Sequence, residues 1–433
     1  MGNDRLRFPG GFLWGTATSA HQVEGDNRNN DWWAFEQQPG AIWHDDRSGA
    51  ACGWWQGPEG DFDLMKELGQ NTHRLSVEWS RVEPEENAFD PAAIARYRQM
   101  LTGLRQRGIT PMVTLHHFTT PLWMAQQGGW TNPEIVPRFG RFARYVAEEL
   151  GDLVQIWCTI NEPAIYAAEA YVLGIHAPGH RSLREAFAVL RNMLRGHVAA
   201  YRAVHAAQLY AEVGLVKNVR LFDPANPRAP GDQLWAWLVD HFFNEWTLRA
   251  LKTGRLPLSA KRDEALAHSL DFIGLNYYTR DMVALDLGQK LLMRRFPAPG
   301  SEVSDLGREG TYGEVYPEGL YRALKKVNRY GVPIYVTEFG LPDADDDQRP
   351  RFLLTHLAQV HRAIAEGVPV RGVYHWSLTD NFEWCDGWAL RFGLVACDPR
   401  TGARQVRRSG ELYAAICREN GITGEMMARE GLV

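Results

Sequence analysis

Short apolar runs alternate with amphipathic stretches along most of this chain. Eight runs stand out, at residues 11–19, 73–79, 110–117, 157–163, 213–219, 271–278, 333–340 and 370–378. They are short and rich in β-branched and aromatic residues, which predicts buried strands. Most of the segments between them have helical spacing. Residues 91–107 put Ala93, Ile94, Tyr97, Met100, Leu101 and Leu104 on one face. Residues 133–150 open with a proline and Glu134, both helix-start signals. Residues 59–70, 182–208, 233–251 and 351–366 also read as helices. Strands alternating with helices predict βαβ units and a parallel sheet, and eight of them predict closure. The expectation is an α/β fold, a (β/α)8 barrel forming one domain over residues 1–433. No charged or Ser/Pro-rich linker divides it, and no repeat of solenoid length recurs. The longest irregular stretch, 280–317, follows the sixth run, where it would wall a site on the C-terminal face.

Two of the runs end on an acid. Residues 157–163 read W-C-T-I-N-E-P and close on Asn161 and Glu162; residues 333–340 read P-I-Y-V-T-E-F-G and close on Glu338. A lone strand-end carboxylate is either a satisfied structural group or a catalytic one. Two at the same ends of two barrel strands make a two-acid site. Other runs end on polar residues as well: Gln22, Arg74, His116 and His117, Asn276 to Tyr278, and Trp376 onward. A purely structural barrel needs none of them. Taken singly, Arg74 has a plainer reading as a carboxylate's partner, and His116 as a core histidine bonded to backbone.

Composition narrows this picture. A hydrophobic content of 45% and a charged content of 23% are those of a globular protein, and a net charge of −5 gives no footprint for nucleic acid. Sixteen Trp suit packing against sugar rings, although Trp also fills cores. Five Cys without a C-x-x-C predict neither a disulfide framework nor a zinc knuckle, and favour a reducing compartment. The start of the chain has no apolar signal region, Leu6 stands where a myristoylation site wants Ser or Thr, and no run is long enough to span a bilayer. A cytoplasmic location with no membrane partner is expected. The acidic run D-A-D-D-D at 343–347 invites a calcium reading, but Gln348 and Leu354 stand where a calcium loop wants Gly and Glu. A solvated turn capping the next helix is the expectation, with no metal.

The sequence resembles family 1 glycoside hydrolases, the β-glucosidase and β-glycosidase group. The marks are F-L-W-G-T-A-T-S-A-H-Q-V-E-G, R-L-S-V-E-W-S-R, T-L-H-H-F, G-G-W-T-N-P, T-I-N-E-P, D-F-I-G-L-N-Y-Y, V-T-E-F-G, W-S-L-T-D-N-F-E-W and R-F-G-L-V, spread over nearly the whole chain. The resemblance implies a retaining β-glycosidase acting on unphosphorylated β-glucosides, with β-galactosides and β-fucosides as further candidate substrates, no cofactor, and a small glycoside or oligosaccharide as its partner. It implies Glu162 as acid/base and Glu338 as nucleophile, with carboxyls about 5–5.5 Å apart. It implies Gln22, His117, Asn161, Glu383 and Trp384 as contacts for sugar hydroxyls, and Trp376 as the floor beneath the sugar. Arg74, Asn276 and Tyr278 would surround the nucleophile. Phe339 departs from the usual Asn after the nucleophile, Phe118 from a common Trp, and Thr119 and Thr120 from an Asp–Leu pair. These departures put the pocket edge and the aglycone preference in question. The alternatives are a transglycosylase and a sugar-binding relative without catalysis; the second would be signalled by loss of either Glu, and both are present.

Overall fold

Each of the eight apolar runs becomes one strand of a closed parallel barrel in the computed structural model, which describes residues 5–256, 262–289 and 291–432. The strands are β1 (Leu13–Ala17), β2 (Thr72–Ser76), β3 (Thr110–His116), β4 (Ile156–Asn161), β5 (Glu212–Asn218), β6 (Phe272–Tyr277), β7 (Ile334–Phe339) and β8 (Val370–Trp376). The main helices between and after them are α1 (Glu59–Glu67), α2 (Pro91–Gln106), α3 (Ile135–Leu150), α4 (Leu183–Ala207), α5 (Pro230–Asp240), α6 (Pro317–Asn328), α7 (Arg349–Ala365) and α8 (Arg408–Glu419). β8 closes the barrel by pairing with β1, Gly372 opposite Leu13 and Trp376 opposite Ala17. Among the described residues no helix is long and apolar enough to cross a membrane.

The strands read as continuous apolar runs because both of their faces are covered. Met112, Cys158, Val216, Phe272, Tyr335 and Tyr374 pack inside the barrel. Val113, Trp157, Val213 and Leu215 belong to the layer shared with the helices. At Gly274 a Cβ would stand 2.8 Å from Val216 and 2.9 Å from Thr337, so only glycine lets these three strands meet. Helix starts follow from local chemistry. Asp90 accepts a hydrogen bond from the Ala92 amide at α2, and Ser182 from the Glu185 amide at α4.

Three readings need correction. The run at 73–79 stops being strand at Ser76, because Trp79–Val82 forms a short helix whose Ser80 amide donates to Glu78. The helix expected from residue 133 begins at Ile135, since Asn132 first takes the Glu134 amide in a turn. The stretch 280–317 is not irregular throughout. Arg280–Leu285 and Met293–Phe296 form an antiparallel hairpin, with Leu221–Pro224 joined alongside. Alternation within R-D-M-V-A-L buries Asp281 and Val283, and that short period was masked by the surrounding Gly and Pro. The acidic run behaves as a cap. Asp343 accepts from the amides of Gln348 and Arg349, and Asp346 pairs with Arg349. It is only partly solvated, however, because Asp343 is buried. Asp343, Asp345 and Asp347 each place one carboxylate oxygen within 4.8 Å of the others.

Candidate active site

The C-terminal ends of β2, β4, β5, β6 and β7 converge on two carboxyls. Glu162 leaves β4 in the left-handed region (φ 48°) and caps the short helix Pro163–Ala168, its amide bonded to the carbonyl of Val216 at 2.9 Å. A non-glycine residue held there is strained, which is common where a side chain must be aimed. Glu338 follows a register break between Val336 and Glu338 in β7. A bulge of this kind re-aims a strand's side chain. Both acids are buried.

Their surroundings differ. Glu338 has both oxygens filled: Arg74 Nη1 donates to Oε1 at 2.5 Å, and the Tyr278 hydroxyl donates to Oε2 at 2.6 Å. Glu162 receives two amides on one oxygen, Asn276 Nδ2 at 2.7 Å and Asn218 Nδ2 at 2.9 Å, both on Oε1. Among the described residues no donor reaches its Oε2. Asn161 ties the two halves together, accepting from Arg74 Nη2 at 2.6 Å and from Asn276 at 3.4 Å. Thr337 holds the other end of the Asn276 amide at 2.7 Å.

Burial pushes the Glu162 carboxyl up to about 8, with the charge of Glu338 adding to it. Burial also raises Glu338, but Arg74 and then Tyr278 oppose it. A proton on Glu338 would leave the fully buried guanidinium of Arg74 without its counter-ion, which costs more than burying the pair. Glu338 therefore carries the charge and Glu162 the proton. This division suits an attacking base beside a proton donor.

Both acids line one cavity of about 900 Å³, together with His117, Asn161, Trp376, Glu383 and Trp384. Glu383 accepts from Trp376 Nε1 at 3.0 Å and from Gln22 Nε2 at 3.3 Å. It does not pair with Arg391, whose guanidinium points to the Cys397 carbonyl at 3.5 Å. Gln22 lies behind Glu383, its amide nitrogen also bonded to Asn381 and Phe382. Burial raises Glu383 well above the usual carboxylate range, and Asp386, Glu338 and Asp380 add to the shift. His117 stacks between Trp376 and Trp384, and its Nδ1 is buried without a protein partner. A buried polar atom of that kind suits a sugar hydroxyl.

Not every strand-end polar residue comes here. His116 accepts from Trp130 Nε1 at 3.0 Å and packs among Trp130, Phe139 and Tyr166, a core histidine that burial pushes down to about 3. Phe339 is not among the residues lining the cavity. It lies in the outer layer against Phe352 and His375. Thr119 bonds to Glu78 and Thr120 to Asp31, behind the wall, whereas Phe118 itself lines the cavity. Asn218 is the residue sequence reasoning passed over. It ends β5, the one strand end whose polar residue was not weighed. The polar wall formed by Glu169, His176, Arg220, Asp281 and Arg295 was also unread, since these residues come from a helix, two loops and two strands.

The model of Glycosyl hydrolase family 1 matches residues 4–422. Beta-glucosidase A of Thermotoga maritima is 34% identical over 96% of this chain and 99% of its own length. A beta-galactosidase of Sulfolobus acidocaldarius is 32% identical over 97% of both. Among solved structures, a beta-glycosidase from Pyrococcus horikoshii superposes with a TM-score of 0.91 at 40% identity, covering 99% of each chain. The Thermotoga maritima beta-glucosidase in complex with glucoimidazole does so with a TM-score of 0.89 at 31% identity, covering 96% of this chain and 100% of the other.

Proposed function

We propose that this chain, which belongs to glycosyl hydrolase family 1, hydrolyses unphosphorylated β-glucosides by double displacement, Glu338 serving as nucleophile and Glu162 as acid/base. That it is a family 1 β-glycosidase follows from its membership; the substrate and the mechanism are our reading. The observation that carries it is the unequal pair of carboxyls in one cavity, one saturated by Arg74 and Tyr278, the other left with a free oxygen.

In the first step Glu338 attacks the anomeric carbon as Glu162 gives its proton to the departing oxygen. The glycosidic bond breaks and a glycosyl ester forms. Arg74 and Tyr278 keep the attacking carboxylate ionised and oriented. In the second step Glu162, now a base, takes a proton from water as that water cleaves the ester, which returns both acids to their starting forms and retains the configuration. In this reading Asn161, held by Arg74 and Asn276, bonds the sugar 2-hydroxyl, where hydrogen bonding strengthens as positive charge develops. Glucosides are favoured because relatives bear the name beta-glucosidase and one solved relative holds glucoimidazole. Galactosides remain a second class to assay, given the beta-galactosidase relatives.

Trapping with an activated 2-deoxy-2-fluoro-β-glucoside tests this directly. The reagent should add one fluoroglucosyl group, with loss of activity, and the labelled peptide should contain Glu338. A label on any other residue, or inactivation without a covalent adduct, would overturn the assignment.

A further inference from the structure

The strand that steadies the acid/base contains an ion in an apolar layer. Along β5 the outward positions Val213 and Leu215 pack into the layer shared with the helices, and the next outward position is Lys217, also buried. Its ammonium donates to the backbone carbonyl of Asn218 and lies 4.4 Å from the centroid of the Phe243 ring. Among the described residues no carboxylate comes within salt-bridge distance of it. The nearest acids on the covering segment are already engaged: Lys326 of α6 holds Asp240 at 2.6 Å and Glu245 at 3.3 Å.

The two neighbours of Lys217 are the residues that hold Glu162. Val216 accepts the Glu162 amide at 2.9 Å, and Asn218 donates to its carboxyl at 2.9 Å. A lysine that merely filled space would have no reason to lie between them or to clamp the carbonyl of Asn218. We infer that Lys217 is a positioning residue for the acid/base, fixing Asn218 through its carbonyl and supplying positive charge on the outer side of the strand that cradles Glu162. This rests on the reading of Glu162 given above.

The electrostatics agree with the geometry. Burial pushes Lys217 down to about 7, with Glu162, Asp240 and Glu245 opposing and Lys326 adding to the shift. Lys217 in turn is one of the groups that hold Glu162 below where burial alone would put it. Glu162 must give its proton in one step and take one in the next. A carboxyl that binds its proton too firmly serves the first step and fails the second. While protonated, the lysine holds it between those limits, and because the two values lie close together the groups titrate as a coupled pair.

Three variants test this: Lys217→Met removes charge and donor, Lys217→Gln removes the charge and keeps a donor, and Lys217→Arg keeps both. The measurement is the pH profile of kcat/KM on an alkyl β-glucoside. Arg keeps its charge through the alkaline limb while Met and Gln have none, so the limb should lie about half a pH unit or more higher in Met and Gln than in Arg, with the wild type, whose lysine titrates near 7, between them. With a dinitrophenyl glucoside, where the base-assisted second step limits turnover, kcat should fall several-fold in the Met variant. If Met does not fold, Gln reads the same limb. An alkaline limb at the same pH in the Arg variant and in both uncharged variants overturns the inference. If the wild type shows no hydrolysis or no alkaline limb, the assignment of Glu162 fails instead.

Discussion

The ends of β4 and β7 present the same side chain at the same depth, and their surroundings give it opposite character. Glu338 meets a permanent cation and a phenol hydroxyl, one on each oxygen. Glu162 meets two neutral amides on a single oxygen, and among the described residues no cation pairs with it. Burial alone would protonate both. The arginine decides which of them stays charged, because a buried guanidinium cannot give up its own proton and must be matched. What distinguishes base from acid is therefore the neighbours and not the carboxyl.

The largest expected effect removes the charged member. Glu338→Gly should lower hydrolysis by roughly 10⁴-fold or more, and added formate or azide should restore much of it by filling the vacated space. Near wild-type turnover without added anion would show that the nucleophile lies elsewhere. Glu162→Ala should cost roughly 10²–10⁴-fold on alkyl glucosides and far less on a dinitrophenyl glucoside, whose leaving group departs without a proton. Equal losses on both substrates would erase the distinction between the two sites.

A smaller effect concerns what the pocket admits. Glu383 has Asp386, Glu338 and Asp380 around it and, among the described residues, no cation paired to it that could receive a phosphate. The kcat/KM for nitrophenyl β-glucoside 6-phosphate should fall about 10²-fold below that of the unphosphorylated glucoside. A preference for the phosphate would overturn the role given to Glu383.

The smallest effect is on stability, and here the two carboxyls should diverge in sign. Glu162 is raised from 4.5 to about 8. Between those values the folded chain keeps a proton that the unfolded chain has lost, so stability falls as pH rises. Glu162→Gln removes this penalty and should raise the Tm by a few degrees at pH 8 while leaving it unchanged near pH 4. Glu338→Gln strands the Arg74 cation and should lower the Tm at pH 7. Parallel shifts in melting scans of the two variants would contradict the unequal environments described above.

Much of the fold was legible because its signals are local. A two-sided buried strand reads as a short apolar run, and a covering helix repeats its apolar positions every three or four residues. The hairpin at Arg280–Leu285 escaped because its alternation is short and lies in a segment whose Gly and Pro signal a loop. The helix at Trp79–Val82 escaped because the strand signal ran on past Ser76 into an apolar Val77 that still bonds to β3. Phe339 was misjudged for a related reason. It follows Glu338 in sequence, but side chains alternate along a strand, and it faces outward.

By itself, the sequence determined the eight strands, the side of the barrel on which polar residues collect, and the two carboxyls at the ends of β4 and β7. Tertiary structure alone decided what each of those carboxyls became. The partners of Glu338 come from residues 264 and 60 positions away, and the amides on Glu162 from 114 and 56 positions away. Hydrogen bonds and charges act over a few ångströms of space, and no local period in a chain encodes distances spanning that many residues. Closing the barrel brings these groups together, and it gives two similar acids unlike surroundings.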